Sequence, residues 1–141
     1  MKVDYLIEDI KDSYWRKRIK NSVQNIIHLY KLREDDIEIS RARIEPKDIW
    51  VVSVEESNLK EARRIMKEKW SKKLPPPITL IRYRGKNVIF IGSNRSLVFT
   101  MKNQTPECII VKLPDSIKEP KMISEAKINL EEIINKGTNE Q

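Results

Sequence analysis

The segment ITLIRYRGKNVIFI, residues 78–91, commits the chain to a sheet. Ile78–Arg84 and Val88–Ile91 are β-branched and apolar, and Gly85-Lys86-Asn87 between them offers a tight hairpin turn. Helical periods stand on both sides. Upstream, Leu6, Ile7, Ile10 and Tyr14 share one face, while Trp15, Ile19, Val23, Ile26 and Tyr30 share another rotated away from it. That phase slip predicts a short helix, a break near Ser13 and a longer helix to about Leu32.

The remaining elements follow from pattern and punctuation. Alternation in Ile37–Ile44 predicts a strand, Pro46 interrupts it, and Asp48–Val54 begins another apolar stretch. Leu59, Ala62, Ile65, Met66 and Trp70 repeat at helical spacing, with Ser57 placed to cap that helix. The three prolines within Ser71–Pro77 stiffen a loop leading to the hairpin. After it, GSNR opens a short helix through Lys102, and Glu107–Leu113 is a buried strand. Asn129-Leu130-Glu131-Glu132 resembles a capping box, starting a last helix expected to stop at Gly137.

Composition removes whole classes of function. No apolar run is long enough to cross a bilayer, and the N-terminus lacks a signal-peptide layout, so a soluble cytoplasmic protein is expected. One cysteine, Cys108, excludes an internal disulfide, and with one histidine, His28, no metal site is expected. His28 lies off the apolar stripe and reads as solvated; Glu34-Asp35-Asp36 reads as a surface turn.

The net charge of +7 is unevenly spread. Residues 1–40 hold eight basic and eight acidic side chains, whereas residues 60–86 hold ten basic against two acidic, or +8. At 100° per residue, Lys60, Arg63, Arg64 and Lys67 gather on the helix face opposite its apolar stripe. Such a face suits phosphates. It equally suits a solvated helix exterior.

The chemistry concentrates where the second hairpin strand meets the next helix. Gly92 allows a tight turn that brings backbone close to an anion. The amides of Ser93, Asn94 and Arg95 then stand at the helix start, where free donors and the dipole favour phosphate. Arg95 can add bidentate bonds, and the Ser93 hydroxyl a further contact. Gly92, Ser93, Asn94, Arg95 and Ser96 are therefore the candidate phosphate-binding residues.

The order from Ile44 to Pro114 resembles the ParB N-terminal / sulfiredoxin superfamily. It shows Ile44, Pro46 and Ile49, then an acidic loop, a helix before a proline-led strand, the Gly-x-x-Arg loop and a final strand. The resemblance implies an α+β fold: one domain at 37–114 with a small mixed sheet flanked by helices. An N-terminal helical extension, 1–36, would precede it, and a C-terminal helix and tail, 115–141, would follow. It also implies a nucleotide, ATP or ADP (or CTP), with Mg²⁺. Sulfiredoxin activity needs a cysteine where Ser93 stands, and residues 115–141 are expected to be too few for a helix-turn-helix domain. In the superfamily's free-serine kinases an acidic pair follows the first strand and supplies the base, so Glu55 and Glu56 become the catalytic candidates. Their plainer role is to acidify a helix N-terminus.

The leading expectation is phosphoryl transfer from ATP or ADP to a small hydroxyl substrate such as free serine. The alternative is a ParB-like DNA-binding or nuclease module using the basic 60–86 segment. A third reading is a catalytically inactive descendant acting through protein contacts, with the N-terminal helices forming a homodimer.

Overall fold

The structure is a computed structural model and describes residues 2–53 and 56–139, with side chains throughout except at 56, 57 and 137–139. A 3₁₀ turn, Lys2–Leu6, precedes α1 (Ser13–Leu29), and a second, Glu34–Asp36, precedes β1 (Glu38–Arg43). A third, Pro46–Asp48, leads into β2 (Ile49–Val51), which is followed by α2 (Glu56–Glu68), β3 (Ile78–Tyr83) and β4 (Lys86–Ile91). The chain continues through α3 (Ser93–Met101), β5 (Glu107–Lys112), α4 (Lys121–Glu125), β6 (Ile128–Asn129) and α5 (Leu130–Asn139).

The fold is α+β, as expected, with a mixed sheet of six strands in the order β1-β5-β3-β4-β2-β6. β3 lies inside it, antiparallel to β4 and parallel to β5. Helices cover both faces. On one face Ile81, Tyr83, Val88, Ile109 and Val111 meet Ile19, Val23 and Ile26 of α1 and Ile123 of α4. On the other, Ile78, Leu80, Ile89, Cys108 and Ile110 meet Ala62 of α2, Leu97 and Val98 of α3, and Leu130 and Ile133 of α5. This is the period-two alternation of a sheet buried on both sides.

The first helix therefore supplies a cover layer for the sheet. Asp12 caps it by accepting the Tyr14 amide at 2.9 Å. A buried pair of hydroxyls, Ser22 Oγ and Thr79 Oγ1 at 2.7 Å, joins it to β3; Ser22 also donates to the Ile19 carbonyl at 2.6 Å, so losing its hydroxyl would leave Thr79 as the unsatisfied partner.

Several local expectations shift. The hairpin loop is Arg84-Gly85, both at positive φ (48° and 83°), so Lys86 and Asn87 belong to β4. Tyr83 pairs with Lys86, the two-residue connection that matches strand twist. The stretch after Asp48 yields a strand of only three residues. Asn129 does cap the last helix, accepting the Glu132 amide at 2.9 Å, but Glu132 returns the contact to the Asn129 side-chain amide, at 3.2 Å, in place of the backbone bond of a full capping box. However, α5 passes Gly137 and ends at Asn139. One glycine costs a helix about 1 kcal/mol, too little to stop one already anchored by Leu130 and Ile133.

Candidate functional site: the start of α3

β4 ends at Ile91 and the chain reverses through Gly92, whose φ of 114° is in the left-handed region. A Cβ there would lie 2.7 Å from Cγ2 of Ile78 and 3.1 Å from Nη2 of Arg95, so only glycine fits without displacing its neighbours. The first helical hydrogen bond runs from the Ser96 amide to the Gly92 carbonyl at 2.9 Å. No side chain caps α3, so among the described residues the amides of Ser93, Asn94 and Arg95 have no acceptor. The helix start and its open amides stand where the sequence places them.

The side chains are arranged differently. Ser93 and Asn94 are half-buried at the helix start, whereas Ser96 is buried and its hydroxyl donates to the Ser93 carbonyl at 2.6 Å. Ser96 thus stiffens the first turn and offers nothing outward. Arg95 also turns inward and is only 7% exposed. Its Nη1 donates to the carbonyls of Pro76, at 3.3 Å, and Pro77. Its guanidinium lies 4.8 Å from the centroid of the Trp15 ring. Nη2 has no acceptor among the described residues and stands beside Gly92. In place of the expected two-pronged grip, one prong of Arg95 is fixed to the protein and one remains open toward the loop.

No carboxylate among the described residues pairs with Arg95. Burial pushes its pKa down to about 10, and the charge of Arg18 pushes the same way. Sequence patterns gave no sign of the link to Trp15, because those residues are joined only by the fold.

The starts of α2 and α3 meet: Asn58 donates from Nδ2 to Oδ1 of Asn94 at 3.4 Å. Of the two candidate bases, Glu56 is the first residue of α2. The side chain of Glu56, and all of Glu55, lie outside the described residues. Among the described residues no group of three or more His, Cys, Asp or Glu could hold a metal ion, and no acid occupies the first turn of α3. Mg²⁺ would arrive held by nucleotide phosphates, its usual mode. Cys108 is buried, and desolvation raises its thiol to about 12, so it is no nucleophile.

The basic block is divided. On α2, Lys60 and Lys67 are exposed and Arg63 is half-buried, all without an ion pair among the described residues. Arg64 is held by Glu61 and by Glu68 at 2.6 Å. Beyond α2, Arg82 donates to Asn87 Oδ1 at 2.7 Å and Arg84 to the Asp115 carbonyl at 3.2 Å. Lys86 donates to the carbonyls of Ile123 and Ala126 at 2.8 and 2.7 Å. The hairpin's cations therefore serve the protein's own oxygens, and the expected continuous track for a DNA backbone is interrupted.

Comparison with protein-family models and with curated proteins finds no match to this chain. No helix among the described residues is long and apolar enough to cross a membrane.

Proposed function

We propose that the protein binds the phosphates of ATP or ADP at the start of α3 and transfers a phosphoryl group to a small hydroxyl substrate such as free serine. The observation that carries this reading is the pairing of three open amides with the free Nη2 of Arg95 around Gly92. The amides bind a terminal phosphate, and the buried guanidinium supplies a charge that needs no reorganisation on binding. Glu55 or Glu56 accepts the proton of the attacking hydroxyl. The new oxygen–phosphorus bond forms as the bridging bond of the nucleotide breaks, releasing ADP from ATP or AMP from ADP. Mg²⁺ bound to the phosphates offsets their charge.

Asn94→Asp tests the site without disturbing the fold. An acid in the first turn favours the helix dipole, and its carboxylate still accepts from Asn58. The variant should melt no lower than the wild type while nucleotide affinity falls about tenfold or more, measured by titration calorimetry. Equal affinity would remove the start of α3 from the reading. Serine-dependent turnover of ATP or ADP, lost in both Glu55→Gln and Glu56→Gln or in one of them, supports the transfer step; turnover retained in both, or absent with either nucleotide, overturns it.

A further inference from the structure

A cleft of about 810 Å³ opens among the first turn of α1, the loop between α2 and β3, and the adjoining ends of β1 and β5. Its acids and bases are unequally engaged. Asp9 and Glu107 both hold Arg41, at 2.6 and 2.7 Å, and Asp12 accepts the Tyr14 amide. Asp9 and Glu107 outweigh Arg41 by one charge and Asp12 carries another, so these four groups sum to −2 against the three lysines of the lining. Lys11, Lys69 and Lys73 are left, all exposed and without an ion pair among the described residues. Arg18, packed over Tyr14 and Trp15, and Arg95, packed over Trp15, add two cations with no carboxylate partner among those residues. The field in the cleft is positive.

Its shape is as informative as its charge. Trp15 and Trp70, 6.0 Å apart between centroids, are too close for a ring to enter between them. Lys73 lies over Trp70 at 5.5 Å, so the cation is held at the wall instead of trailing into solvent. Pro75, Pro76 and Pro77 stiffen one side, which lowers the entropy lost on binding. At the rim, Tyr14 is 55% exposed. A stiff, cationic cleft with an aromatic ring at its lip has the features that hold an extended polyanion carrying planar groups.

We propose that this cleft binds single-stranded nucleic acid, with Lys11, Lys69 and Lys73 on backbone phosphates and Tyr14 stacking on a base. The site adjoins the start of α3, because Arg95 reaches Trp15, Pro76 and Pro77 of its lining, but its proposed contacts are not the α3 amides, so it stands whether or not a nucleotide binds there. Within the basic 60–86 segment it assigns nucleic-acid binding to Lys69 and Lys73, just past the end of α2.

The test is fluorescence anisotropy with a labelled single strand of about 12 nucleotides, the length such grooves cover. The wild type should bind, and affinity should fall steeply with salt. Lys69→Ala with Lys73→Ala should weaken binding about tenfold at ~0.1 M salt and reduce the log–log salt slope by about 1.4, two phosphate contacts' worth. Tyr14→Ala should weaken it about tenfold with the slope unchanged, since stacking releases no counterions. Asn94→Asp should bind the strand as the wild type does. All replaced side chains are exposed or half-buried, and matched melting curves confirm the fold. Failure of the wild type to bind the strand overturns the proposal. A duplex of equal length binding as tightly, a double lysine variant with wild-type affinity and slope, or displacement of the strand by stoichiometric inorganic phosphate would do the same.

Discussion

Arg41 and Arg95 are both drawn into the protein, and their surroundings could hardly differ more. Arg41, on β1, meets two carboxylates, Asp9 and Glu107, and also donates to the Leu6 carbonyl at 2.7 Å. Burial alone would lower its pKa, but the bonds to Glu107 and Asp9 outweigh that and hold it above the ordinary arginine value. Arg95 is more deeply buried yet meets only two proline carbonyls and an indole, and its pKa falls. The first is a tie between the N-terminal segment and the far edge of the sheet. The second is a largely buried charge with no counterion among the described residues, beside open amides, and under the proposed function an arriving anion would supply one. Depth of burial does not distinguish the two arginines; the sign of what surrounds them does.

Replacing each with methionine should separate them. Arg41→Met leaves Glu107 and the Leu6 carbonyl without their donor and should cost about 1.5 kcal/mol by urea denaturation. The figure is set below that for a fully buried pair because Asp9 is 66% exposed and screened by water. Nucleotide affinity should be unchanged. Arg95→Met loses two carbonyl bonds but also removes a desolvated charge, so stability should stay within about 1 kcal/mol of the wild type. Nucleotide affinity should nonetheless fall at least about tenfold. A loss above about 3 kcal/mol would make Arg95 a structural residue like its counterpart. The smallest effect is the response to acid. The bond from Arg41 holds Asp9 below the ordinary aspartate value of 3.8, against a smaller opposing effect of burial. Its contribution is therefore full above that value and is lost as pH falls through the lower folded one. Asp9→Asn should flatten the acid limb of a urea-midpoint curve below about pH 4; an unchanged limb would mean the pair adds nothing to Arg41's other bonds.

Much of the fold was legible because it is written in short-range chemistry. The slip between Tyr14 and Trp15 marks the start of α1, Gly85 sits in the hairpin loop, and Asn129 caps α5. Gly92 is legible as well, since its positive φ serves a strand-to-helix reversal. What sequence patterns could not convey is where long side chains end. Arg95 has many staggered side-chain conformations open to it, and only the placement of Pro76, Pro77 and Trp15 selects one. The heads of Arg82, Arg84 and Lys86 find oxygens up to 40 residues away, so a run of charge in sequence is no run of charge on the surface. Elements as short as α4 and β6 carry too few residues for either period to show.

The sheet order carries a consequence for how the chain is made. β1 has one partner, β5, and that pairing joins Glu38 to Lys112 and Arg43 to Glu107. On a ribosome, synthesis runs through β2, the hairpin and α3 before β1 can close onto anything. Until then its backbone groups stay with water, and the apolar stripe of α1 waits for the sheet face it will cover. Closure of the N-terminal edge is thus a late step that depends on distant contacts, and it should set the folding time more than any single helix does.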